Sequence, residues 1–207
     1  MLIFDIGANN GNFTDNCLKS YPDATIVSIE ANDSLIPRLK NRFYRNDKVH
    51  IVNKIVSNKS NEIIDFHIGN QDTISTASRE WITDSRFANN HRWDKTIRKQ
   101  SISLDDLIKQ FSKPDIIKID VEGYELEVIH GLSEKQKDIL FEWTEEGFKK
   151  TSLVCEHLIK LGYSKFGYTY EDHFLQEPTE YTSWENCKIH TDIVPERKKL
   201  WGMIWAV

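Results

Sequence analysis

The chain has 207 residues, 39% of them hydrophobic and 29% charged, with a net charge of −5. That length and balance fit one globular domain over residues 1–207 and argue against disorder. The acidic charge argues against a dedicated nucleic-acid partner, and no apolar run is long enough to span a membrane.

Short β-like runs alternate with helical runs, the pattern of a parallel sheet with crossover helices. Residues 2–6 read as the first strand, too short and too poor in basic flanks for a signal peptide. A Gly/Asn turn follows at 7–11, then a helix at 13–21, a strand at 24–30, a helix from 35 to about 45 and a strand at 49–57. Residues 62–68 read as an added strand. Residues 69–100 are polar and aperiodic, and read as a long functional loop with one short helix. Ser103 opens a helix at 104–111, followed by a buried strand at 116–121 and a helix around 125–130. A strand at 139–145, a helix at 152–161 stopped by Gly162, and closing strands at 163–170 and 200–207 complete the pattern. Cys17, Cys155 and Cys187 are odd in number and far apart, which reads as reduced thiols in a cytoplasmic protein.

The first strand ends Asp5-Ile6-Gly7-Ala8-Asn9-Asn10-Gly11 and runs into a helix. Gly7 and Gly11 permit a sharp turn and close approach of a ligand, beyond the carboxyl end of the strand. A dinucleotide site wants G-x-G-x-x-G, and Asn9 stands where its second glycine should be. An acidic residue before G-x-x-x-G suits a cofactor with an amino-acid tail and no phosphate, with Asp5 facing the tail ammonium directly or through water. Glu30 and Ala31 close the second strand, where a carboxylate can grip a ribose diol.

The run Ile116-Ile117-Lys118-Ile119-Asp120-Val121-Glu122-Gly123-Tyr124-Glu125 adds a second acidic glycine turn. Together with Asp5–Gly11 and Glu30-Ala31-Asn32 it resembles the FkbM family of methyltransferases over roughly residues 1–145. The resemblance implies a Rossmann-like class I methyltransferase fold: an α/β domain whose seven-stranded, mostly parallel sheet carries helices on both faces and an antiparallel last strand. It implies S-adenosylmethionine as donor, S-adenosylhomocysteine as product, and O-methylation of a sugar, glycan or related small molecule. Asp5, Gly7, Asn9, Gly11, Glu30 and Ala31 become cofactor residues, with Ser57 beside the adenine.

An alcohol is a poor nucleophile at neutral pH, so a base or a metal helps. Asp120 and Glu122 follow one core strand and Glu142 lies on the neighbouring strand at 139–145; these three are the candidate catalytic residues. Asp120 is the candidate for base or substrate orientation, and Glu122 and Glu142 for polar scaffold near the acceptor. Clustered carboxylates permit a divalent cation here but do not call for one. His67 and His190 are outlying candidates for a base. The locally basic middle stretch, with Arg92, Lys95 and Arg98, could clamp an anionic acceptor. Trp81, Trp93 and Trp184 could offer flat faces to a sugar ring. Two other readings stand beside this one: an NAD-dependent oxidoreductase, and a catalytically inactive Rossmann-like binding module. The oligomeric state stays open.

Overall fold

The computed structural model describes residues 1–171, 175–189 and 200–207. Its elements run β1 (Leu2–Ile6), α1 (Asn12–Ser20), β2 (Thr25–Ile29), α2 (Ile36–Arg42), β3 (Val49–Val52), β4 (Ile55–Val56), β5 (Ile63–Ile68), α3 (Arg79–Asp84) and β6 (Lys95–Ile102). They continue with α4 (Leu104–Phe111), β7 (Ile116–Ile119), α5 (Glu125–Ile129), β8 (Asp138–Thr144), α6 (Phe148–Lys160), β9 (Phe166–Tyr170) and β10 (Trp201–Ala206).

Seven strands form one sheet in the order β3-β2-β1-β7-β8-β10-β9. The strands β1, β2, β3, β7 and β8 pair in parallel, and β10 runs antiparallel to both β8 and β9. Strands covered on both faces must be apolar throughout. Accordingly β1 buries Ile3, Phe4 and Ile6, and β7 buries Ile116, Ile117 and Ile119. Chain order reverses at β1, which has β2 on one side and β7 on the other. In open α/β sheets the ligand crevice lies at such a switch point, beyond the carboxyl ends of the strands.

Two stretches differ from the sequence reading. The strand expected at 49–57 is split: β3 ends at Val52, and Ile55–Val56 leave the main sheet to pair with Ser101–Ile102. Part of the expected loop is strand β6, which pairs antiparallel with β5 along its length. Its inward positions are Ile97, Lys99 and Ser101, while Thr96, Arg98 and Gln100 are exposed. Alternation is present, but one apolar residue among three inward positions leaves almost no hydrophobic period to read. The short helix expected in this stretch is α3, whose first turn is closed by Ser78 Oγ accepting from the Trp81 amide at 3.2 Å.

Candidate active site

The Gly7–Gly11 turn is held by backbone bonds to the next strand. The amides of Gly7 and Ala8 both donate to the Ile29 carbonyl at 3.0 Å. Gly7, Asn9 and Gly11 all have positive φ, at 77°, 47° and 81°. The glycines serve packing. A Cβ on Gly7 would fall on the carbonyl of Asp120, and one on Gly11 would lie 2.6 Å from the Phe43 ring. Asp5 sits beneath the turn, fully buried, with Oδ2 accepting from Thr14 Oγ1 at 2.7 Å.

Glu30 faces the turn from the end of β2. Its Oε2 accepts from the Asn9 amide at 2.8 Å and its Oε1 from the Asn32 amide at 2.7 Å. Burial raises its pKa, against the pull of those two amides. Asn9 Nδ2 reaches across to the Asp72 carbonyl at 3.0 Å, so residues near 72 rest against the turn.

These groups border a cavity of about 490 Å³. On one side lie Gly7, Ala8, Asn9, Glu30, Ala31 and Val56; on the other lie Asp120, Glu122, Tyr124, Glu142, Thr144 and Arg86. The carboxylates of Asp120, Glu122 and Glu142 each offer an oxygen within 4.8 Å of the others, the one group with metal-holding spacing among the described residues. Glu122 takes φ 55° at the second glycine turn, which brings its carboxylate back toward β8. Burial, then the Asp120 charge, raises the pKa of Glu122 and of Glu142 well above the carboxylate range. Glu125 pins the same turn, its Oε1 accepting from the amides of Val121 and Gly123 at 3.1 and 3.2 Å.

The structure brings most of the expected residues to this cavity. Gly7, Asn9, Glu30, Ala31, Asp120, Glu122, Glu142 and Trp81 line it. Asp5, Gly11 and Ser57 stand behind its wall, and Ser57 Oγ lies 3.2 Å from the hydroxyl of Tyr124, which does line it. Arg92, Lys95 and Arg98 are exposed and outside the lining, the last two on β6. Trp93 is also outside, its Nε1 donating to the Ile74 carbonyl at 2.8 Å. Trp184 is buried in the core, with ring centroids 6.0 Å from Phe148 and 5.9 Å from Phe166. His67 lies on β5, bonded through Nδ1 to Thr96 Oγ1 at 2.9 Å, and His190 falls outside the described residues.

Arg86 and Lys118 also line the cavity, outside the candidate site set. Arg86 is clamped by Glu146, with Nε and Nη2 donating at 2.8 and 2.7 Å. Lys118 lies on β7, 2% exposed, among three buried isoleucines. A lysine in a wholly buried strand requires partners, and that was the signal available in the sequence.

Strand order, the acidic glycine turn and the carboxylate after β2 define a class I S-adenosylmethionine-dependent methyltransferase. A profile of the methyltransferase FkbM domain matches residues 5–170. The chain belongs to that family, and its cofactor is S-adenosylmethionine. The wall fits that cofactor: Ile29 and Val56 are apolar neighbours for a purine, and Glu30 has a carboxylate for a diol.

The chain is similar in fold to Aeropyrum pernix fibrillarin in complex with natively bound S-adenosyl-L-methionine, at 9% identity and a TM-score of 0.50, covering 100% of this chain and 65% of that one. It is similar also to a predicted O-methyltransferase from Agrobacterium tumefaciens, at 8% identity and a TM-score of 0.50, covering 99% of this chain and 72% of that one. No curated protein sequence matches the chain.

Proposed function

We propose that the protein transfers the methyl group of S-adenosylmethionine to a hydroxyl of a sugar, glycan or related small molecule. The observation that carries this reading is the meeting of Asp120, Glu122 and Glu142 on the wall of the cavity that the Gly7–Gly11 turn and Glu30 also border. Bound there, the cofactor supplies an activated methyl group on a positively charged sulfur.

The remaining work falls to the chain. The turn and Glu30 hold the cofactor, and Trp81, Arg86 and Thr144 shape the far side of the cavity. Orientation of the acceptor oxygen supplies a large part of the rate. Asp120 orients that hydroxyl or accepts its proton. Glu122 and Glu142 lie beside it, and burial favours their protonated form, so they serve as polar scaffold that can donate a hydrogen bond near the acceptor. The free state of all three cysteines supports a reducing, cytoplasmic setting.

An acceptor panel tests this reading, with S-adenosylhomocysteine release as the signal. Neutral glycosides, amino sugars, sugar phosphates and polyols would be compared, and the methylated atom located by mass spectrometry and NMR. Methylation of a hydroxyl that drops in Asp120→Asn is the expected result. Methylation confined to nitrogen or carbon would sink the O-methyltransferase assignment.

A further inference from the structure

The register of the sheet sets Lys118 on β7 directly beside Asp5 on β1. Residues paired in this way project to the same face. The ammonium of Lys118 lies 3.4 Å from Asp5 Oδ1 and 3.3 Å from Asp120 Oδ2. It also donates to the Gly7 carbonyl at 3.0 Å, and it sits 5.8 Å from the centre of the Phe13 ring. An ammonium has three donors. Here the ammonium donates to the carbonyls of Gly7 and, at 3.5 Å, of Ile6, with the carboxylates of Asp5 and Asp120 at ion-pair distance.

We infer that Lys118 is a positioning residue, whose buried ammonium couples the cofactor turn to the carboxylate of Asp120. Asp5 is fully buried, and its Oδ1 has no hydrogen bond among the described residues. Its charge is therefore compensated by Lys118 across the strand pair. Two carboxylates share one cation, so removing that cation leaves two negative charges close together in a poorly solvated wall. The turn carbonyl would lose its donor at the same time. Beside the backbone contact of Gly7 with Asp120, this side chain gives a displacement of the turn a route to the Asp120 carboxylate itself.

The catalytic consequence rests on the reading of Asp120 given above. The test needs no acceptor, so a wrong acceptor class would leave it intact. It uses the full chain with S-adenosylhomocysteine as ligand. By calorimetry, Lys118→Met should weaken binding at least about tenfold and Asp120→Asn less than about threefold. The double variant should bind at least about threefold more tightly than Lys118→Met, because loss of the cation harms most while Asp120 keeps its charge. A side chain that merely fills space would show no such recovery. Independently, in wild-type protein with ¹⁵N at the lysine Nζ, the ammonium resonance displaced by Asp120→Asn should shift when S-adenosylhomocysteine is added. That measurement decides the matter if Lys118→Met fails to fold. A double variant no better than Lys118→Met, or an ammonium resonance that is undetectable or unmoved by ligand, would overturn the assignment.

Discussion

The carbonyl oxygen of Asp120 occupies the space that a Cβ on Gly7 would fill. The first residue of the Gly7–Gly11 turn and the residue that follows β7 thus pack backbone to backbone. The amide of Asp120 also donates to the Ile6 carbonyl at 3.1 Å, fixing this contact at the level of the strand pair. Gly7→Ala should therefore fail first in stability. Its φ of 77° is unfavourable for alanine and the methyl group has no room. A loss of about 2–5 kcal/mol is expected from strain and overpacking together. Urea unfolding would measure it, and a variant as stable as wild type but unable to bind S-adenosylmethionine would contradict this account.

Glu30 holds the turn as well as bordering the cavity. Glu30→Ala deletes the acceptor for the Asn9 and Asn32 amides. It should cost about 1–3 kcal/mol of cofactor binding. Glu30→Gln keeps one acceptor oxygen and should lie between the two. Calorimetry with S-adenosylhomocysteine orders the three proteins, and equal affinity in all of them would remove Glu30 from the cofactor site.

Asp120→Asn should fold, bind S-adenosylhomocysteine nearly as well as wild type, and lose about 100-fold or more in turnover on a validated acceptor. A chelator in the same assay should leave the wild-type rate unchanged. Collapse of activity with chelator, and recovery on adding a divalent cation, would reassign Asp120, Glu122 and Glu142 to metal binding.

Burial raises the pKa of Glu125 from its ordinary value of 4.5 to about 7. Between those values the native protein holds more protons than the unfolded chain, so stability falls as pH rises through that window. The loss at full ionisation is at most about 3.5 kcal/mol for this one group. Glu122 and Glu142 act in the same direction. Glu125→Gln retains the oxygen that accepts from Val121 and Gly123 and removes the charge. Its stability should depend less on pH between about 4.5 and 7 than that of wild type, as read from denaturant midpoints. An unchanged pH dependence would show that Glu125 is not the titrating group.

Arg86 and the exposed basic residues separate cleanly. Arg86→Ala leaves Glu146 without its clamp beside the cavity and should cost about 2–4 kcal/mol in stability, acceptor turnover, or both. Replacing Arg92, Lys95 and Arg98 together should change cofactor affinity less than about twofold, because all three are exposed and outside the lining. A large loss of turnover on an anionic acceptor in the triple variant would restore these residues to the acceptor site.

The local sequence determined the parts of this protein that are local in chemistry. Residues 2–13 read as a strand, a turn and the start of a helix because an apolar run stops and a glycine turn begins. The run from Ile116 to Glu125 reads the same way, and carries the family likeness with it. Glu30 is legible because it ends an apolar strand. What tertiary structure decided is which groups meet. Neither Gly7 nor Asp120 reveals that the two backbones touch, since 113 residues separate them and only the parallel pairing of β1 with β7 brings them together. The same pairing turned Lys118 from an oddity in an apolar run into the shared partner of Asp5 and Asp120. Conversely, Trp184 has the composition of a sugar platform and the position of a core residue. Side-chain chemistry is written residue by residue, but proximity between distant strands is set by sheet order and register, which depend on burial of the whole apolar surface.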